Sequence, residues 1–220
     1  MDKLFIVANL KSYKTETEAR VWLEVFKKIN ENPQVFTQKE ILICPSFTLL
    51  SLFSNFFKEN NLPVKVGAQN VSPFEEGAYT GEVNAGQIKE FGDYVIIGHS
   101  ERRSNFKESD DVLLNKVKIS LEHGLTPVYC VQDKDTLVPE NVSILAYEPI
   151  FAIGSGNPDT PENADEVAKS FVDKNKIVLY GGSVNPENIR SFTQKENIKG
   201  VLVGGASLDG QEFIKIIQNA

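Results

Sequence analysis

The 220-residue chain has little of several things: two cysteines, two histidines, one methionine, one tryptophan, and no apolar run near the roughly 18 residues of a membrane span. Two cysteines fall short of a structural zinc site. Cys44 and Cys130 both lie in apolar, strand-like runs (ILICP and VYCV), where a reduced buried thiol is expected rather than a disulfide. Basic residues are also scarce, 23 Lys and Arg against 30 Asp and Glu. The resulting net charge of −7 argues against nucleic acid or an anionic membrane as partner, because a phosphate backbone calls for a concentrated basic face. The amino terminus, MDKLFIVANLK, has too short an apolar part, and no small-residue cleavage site, to read as a secretion signal. A cytoplasmic chain forming one domain over residues 1–220 is the expectation, with room for a small anionic ligand if its site is locally positive.

What is present is a rhythm. LFIVAN, ILICP, VKVGAQN, YVIIGH, TPVYCV, ILAYEP, IVLYGG and GVLVGG read as eight short strands, apolar on both faces, as a parallel sheet covered by helices requires. Amphipathic stretches alternate with them: Val21, Trp22, Val25, Phe26 and Ile29 fall on one helical face, as do Phe213, Ile214 and Ile217. Eight βα units suggest a closed (β/α)8 barrel, although periodicity alone also permits an open doubly wound sheet. No Gly-rich fingerprint follows the first strand, which weakens a dinucleotide fold. One unit is irregular. Between Val131 and Ile144 only QDKDTLVPENVS remains, with Pro139 inside it, so the fifth outer helix is expected to be largely missing.

In a parallel barrel the C-terminal strand ends share one mouth, and that mouth is where such barrels do chemistry. Reading those ends gives Asn9 and Lys11, then Gly98-His99-Ser100-Glu101, Glu148, Gly181-Gly182-Ser183 and Gly204-Gly205. The glycine pairs can point several backbone amides at one anion. One such pair could equally be a plain strand-to-helix turn, but two on the last two strands favour a phosphate cradle. Glu148 could cap a turn or meet an arginine. Followed by Pro149 and the small-residue segment AIGSG, however, it reads as a general base beside a loop able to close and desolvate it. His99 could be a satisfied core histidine, yet it opens a helical turn whose dipole disfavours the imidazolium. His123, before Gly124, is assigned to the end of a surface helix. Lys11 is a candidate partner for a phosphate or oxyanion.

These pieces resemble the triosephosphate isomerase family, the standard pairing of a carboxylate base with a neutral histidine. The resemblance runs from ANLK to LVGGASL, most specifically in GHSERR (98–103), AYEPIFAIGSG (146–156), YGGSV (180–184) and VGGAS (203–207). It implies interconversion of dihydroxyacetone phosphate and D-glyceraldehyde 3-phosphate, in glycolysis and gluconeogenesis, with no metal or organic cofactor. Glu148 would take the carbon-bound proton and His99 would move protons between the enediolate oxygens, with Asn9 and Lys11 stabilising charge. Glu101 would orient or relay protons near Lys11. Gly154, Ser183, Gly204 and Gly205 would hold the phosphate, and Tyr180 with Ser183 would latch the lid. The segment GAYTGE (77–82) resembles a loop whose Thr80 enters a neighbouring subunit, which implies a homodimer with Glu82 paired to Arg102.

Departures from the family pattern are also legible. Leu10 and Phe151 stand where tryptophan is common, Asn157 where lysine is frequent, and Gln132-Asp133 where Gly-Glu usually follows the strand. The sixth helix, about Pro161 to Asp173, is short. A lost fifth helix exposes apolar strand surface at about 25 cal/mol per Å², so residues 132–143 are expected to form an irregular cover, or a subunit contact to replace it. An alternative of another class follows: a catalytically impaired barrel that keeps the phosphate cradle and serves as a binding or interaction protein.

Overall fold

A computed structural model describes residues 3–152, 158–172 and 175–220. Eight parallel strands close into a barrel in sequence order, β1 (Leu4–Asn9), β2 (Lys39–Cys44), β3 (Val64–Ala68), β4 (Tyr94–Ile97), β5 (Thr126–Val131), β6 (Ile144–Tyr147), β7 (Ile177–Tyr180) and β8 (Ile198–Val203). All eight strands read from the sequence are present, and the β1–β8 pairing, Phe5↔Gly200 to Ala8↔Val203, excludes the open sheet. The helices are α1 (Glu16–Phe26), α2 (Leu50–Glu59), α3 (Ala85–Lys89), α4 (Ser100–Phe106), α5 (Asp110–Glu122), α6 (Pro161–Val172), α7 (Ile189–Thr193) and α8 (Gly210–Asn219).

Apolar residues on both strand faces produce two cores. Val7, Leu42, Ile96, Val128, Ala146, Leu179 and Leu202 fill the barrel, together with Cys44 and Cys130, both free and buried as expected. Burial pushes both thiols well above their ordinary pKa. The outer layer packs strands against helices. Trp22 of α1 stacks on Phe26 at 4.8 Å and donates its indole N–H to the Ser207 carbonyl at 3.0 Å. The apolar face of α1 is narrower than the sequence pattern suggests, since Val21 points outward at 61% exposure while Ala19, Trp22, Leu23 and Phe26 face inward. Phe213, Ile214 and Ile217 of α8 are buried as read. Among the described residues no helix is long and apolar enough to cross a membrane.

Residues 132–143, all described, contain no helix. Thr136 Oγ accepts the Gln132 and Asp133 amides at 3.1 and 3.2 Å, tying the start of the segment into a compact turn. Val138 packs on the core and Val142 is 1% exposed, so the segment is the irregular cover that the short spacing implies. Lys176, just before β7, donates to the Glu140 and Val142 carbonyls at 2.7 and 2.6 Å. The sixth covering helix, α6, spans Pro161–Val172 among the described residues.

Candidate active site

At the mouth, β1 delivers Asn9 and then bends at Lys11, whose φ of 51° is left-handed. The turn is held from two sides. Asn9 Oδ1 accepts the Lys11 amide at 3.0 Å, and Gln69 Nε2 donates to the carbonyls of Lys11 and Cys44, both at 2.9 Å. Lys11 Nζ then reaches Glu101 Oε1 at 2.5 Å. A Cβ on Gly204 would lie 3.0 Å from Lys11 Cε, so the glycine leaves the lysine its path across the mouth.

After β4, Gly98 adopts φ 73°, and Arg103 secures the bend by donating Nε to the Gly98 carbonyl at 2.8 Å. The next residue, His99, is the N-cap of α4, its Nδ1 accepting the Glu101 amide at 3.2 Å. An imidazole nitrogen that accepts an amide carries no proton, so in this arrangement the ring proton belongs on Nε2. Nε2 faces Glu148 Oε1 at 3.0 Å. Burial works to lower the His99 pKa, while the charge of Glu148 and its hydrogen bond, with Glu101 behind, raise it, and the net direction is upward. The sequence reading credited only the helix dipole, which disfavours the imidazolium; the opposing carboxylate becomes visible once β4 and β6 are brought together.

Glu148 follows β6 and is 1% exposed. Its Oε2 accepts the Ser100 amide at 2.8 Å, so the first turn of α4 and the histidine together compensate a buried carboxylate. Gly181, after β7, faces it: a Cβ there would stand 2.9 Å from Glu148 Cγ. Only a glycine leaves that side chain its space.

Asn9, Lys11, His99, Glu148, Gly181, Gly182, Ser183, Gly204 and Gly205 line a cavity of about 320 Å³ at the mouth. That is the lower end of small-molecule sites and suits a ligand of a few heavy atoms. Glu101 joins through Lys11, and Gly154 lies outside the described residues, as does Asn157. Tyr180 is buried, its hydroxyl accepting the Asp159 amide at 2.8 Å, which puts its contact just before α6. Phe151, which stands where tryptophan is common, is exposed. Among the described residues no His, Cys, Asp and Glu cluster could hold a metal.

Elsewhere, Thr80 sits on an exposed loop where Phe74 and Tyr79 stack at 4.3 Å. Arg102 does not meet Glu82 within the chain; its Nε pairs with Glu108 at 2.7 Å, and Glu108 also meets Lys116. His123 caps the end of α5, as read, and meets Glu75 at 2.8 Å. Gln69 and Asp159 were missed by the sequence reading. Gln69 was readable, because it follows Ala68 directly at the end of β3 within the VKVGAQN run, a strand end like the others.

The sequence pattern of the triosephosphate isomerase family matches residues 4–220. The chain belongs to the triosephosphate isomerase family. Relatives bearing that name include one from Dictyoglomus turgidum, 37% identical with all of both chains covered, and one from Aquifex aeolicus, 40% identical over 96% of this chain and 97% of its own. A third, from Mycoplasmopsis pulmonis, is 38% identical over 99% and 98%. Such likeness over the whole length makes this member of the triosephosphate isomerase family an isomerase. The first alignment runs over 254 positions, more than the 220 residues of the chain, as expected if this member is shortened inside a common barrel.

Proposed function

We propose that the chain interconverts dihydroxyacetone phosphate and D-glyceraldehyde 3-phosphate through an enediolate. The observation that carries this reading is the placement of Glu148, buried between the Ser100 amide and His99 Nε2 on a cavity that Lys11 also lines. Glu148 takes a proton from the carbon beside the carbonyl and returns it to the neighbouring carbon. His99, with its proton on Nε2, donates to one enediolate oxygen and recovers a proton from the other. Lys11, held by Glu101 and supported by Asn9, stabilises the oxyanion, while Ser183, Gly204, Gly205 and Gly154 hold the phosphate through backbone amides. One proton moves between carbons and one between oxygens, so the balance of the reaction calls for no oxidant, metal or organic cofactor. General base catalysis contributes ~10²–10⁴ in rate, and charge stabilisation at the mouth supplies much of the rest.

Residues 1–220 act as one domain in this reading, in the cytoplasm and as a homodimer. The exposed loop carrying Phe74, Tyr79 and Thr80 supports the last point, offering aromatic surface that a second copy would cover. The test is initial-rate isomerisation of glyceraldehyde 3-phosphate, coupled to a dehydrogenase that consumes dihydroxyacetone phosphate, for the native chain and Glu148→Gln. Turnover by the native chain and its loss in the variant support the reading. If neither turns over while 2-phosphoglycolate still binds, the barrel is a phosphate-binding protein instead.

A further inference from the structure

Asp159 is a buried carboxylate, 7% exposed, that the chemistry above does not use. Its Oδ2 accepts the Tyr147 hydroxyl at 3.2 Å and Asn163 Nδ2 at 2.7 Å, and its Oδ1 accepts the Thr160 amide at 2.8 Å. Its own amide donates to the Tyr180 hydroxyl at 2.8 Å. Starting α6 does not explain it, because Thr160 Oγ already accepts the Asn163 amide at 3.2 Å and serves as the cap. Burying a carboxylate is costly even when it is hydrogen-bonded, so its presence here calls for a use that an apolar residue could not serve.

Tyr147, bonded by the carboxylate itself, supplies that use, while the Tyr180 hydroxyl is held by the Asp159 main-chain amide and not by its side chain. Tyr147 and Tyr180 end β6 and β7 and are register partners across the ladder. The residues that follow them are Glu148 and Gly181. They touch at the mouth: the Gly181 amide donates to the Tyr147 carbonyl at 2.7 Å, and Glu148 Cγ fills the space where Gly181 lacks a Cβ. One residue therefore holds both strand ends from outside the barrel at the point where, inside it, the base meets its gap.

We propose that Asp159 is a positioning residue, which clasps Tyr147 and Tyr180 so that β6 and β7 keep the relative placement that aims Glu148 into the cavity. The proposal rests on the isomerase reading of Glu148. A displacement of the base by about 1 Å can cost ~10²-fold in rate without touching substrate binding. Asp159→Ala is therefore expected to lower kcat by about ten- to a hundredfold, with KM near the native value and the protein fully folded by far-UV circular dichroism at the assay temperature. Tyr147→Phe removes one hydroxyl with little change in volume. It should lower kcat in the same direction, and the double variant should be no slower than Asp159→Ala alone, since both remove one link. Should Asp159→Ala fail to fold, Tyr147→Phe carries the test.

A variant with native kcat and only a lower Tm overturns the proposal, for the carboxylate then merely stabilises the fold. Fully additive losses overturn it too. A native chain that does not isomerise glyceraldehyde 3-phosphate at all overturns the isomerase reading and this inference with it, whereas an active native chain with an unaffected variant overturns this inference alone.

Discussion

The two connections flanking β5 solve the same problem in different ways. From β4 to β5 the chain builds α4 and α5; from β5 to β6 it has only residues 132–143 and no helix. The ladders on the two sides are nevertheless equal, four register pairs from Tyr94↔Thr126 to Ile97↔Tyr129 and four from Val128↔Ile144 to Val131↔Tyr147. Closure is therefore set by backbone hydrogen bonds and by the inner core, to which Val128, Cys130, Ile144 and Ala146 contribute whatever lies outside. What a helix adds is outer cover and, at its first turn, chemistry. The β4–β5 connection delivers His99 and the Ser100 amide, whereas the β5–β6 segment delivers cover alone through Val138 and Val142. The strand beyond it still supplies Glu148.

If that division holds, changes at the strand ends cost rate and changes in 132–143 cost stability. The largest effect is Glu148→Gln, expected to lower kcat by at least ~10²–10⁴-fold. In the same variant the His99 titration, followed by NMR, should move to lower pH, because the carboxylate that raises its pKa is gone. A histidine with a raised folded pKa stabilises the fold below the unfolded value of about 6.5 and loses that contribution as pH rises through the folded value. The native chain should show that decline in stability with rising pH, and Glu148→Gln should show less of it. An unmoved His99 titration would mean that the pair does not couple.

Val142→Ala removes two methyls from a site that is 1% exposed. It should cost about 1–3 kcal/mol and lower Tm by about 2–4 °C for each kcal/mol, with kcat unchanged. A fall in kcat would erase the division between the connections. The smallest effect belongs to Lys176→Met, which deletes the bonds to the Glu140 and Val142 carbonyls. A loss of about 1 kcal/mol, with faster amide exchange confined to 132–143, is expected; exchange that quickens throughout β5 and β6 would show the segment to be part of the barrel's own cooperative unit.

Much of this was legible in the chain. Strand positions were readable because both faces of a parallel barrel strand are buried, which leaves runs such as YVII and ILAY without polar interruption. The site was readable where it sits on strand ends, as with Asn9, His99 and Glu148. Asp159 was not, because it lies in a loop and its partners, Tyr147 and Tyr180, are 12 and 21 residues away. Val21 was misplaced for a related reason: helical periodicity gives the breadth of an apolar face only approximately, and the neighbours that α1 packs against decide its edge.

The sequence by itself determined the eight strands, the buried reduced cysteines, the missing helix and the residue types gathered at the mouth. Each of these follows from local pattern and spacing along the chain. Only the tertiary structure decided that Glu148 meets both His99 and the Ser100 amide, that Arg102 meets Glu108 within the chain, and that Asp159 bonds both Tyr147 and Tyr180. Contacts between side chains far apart in sequence depend on register and strand neighbours across the closed barrel, and no local pattern carries that information.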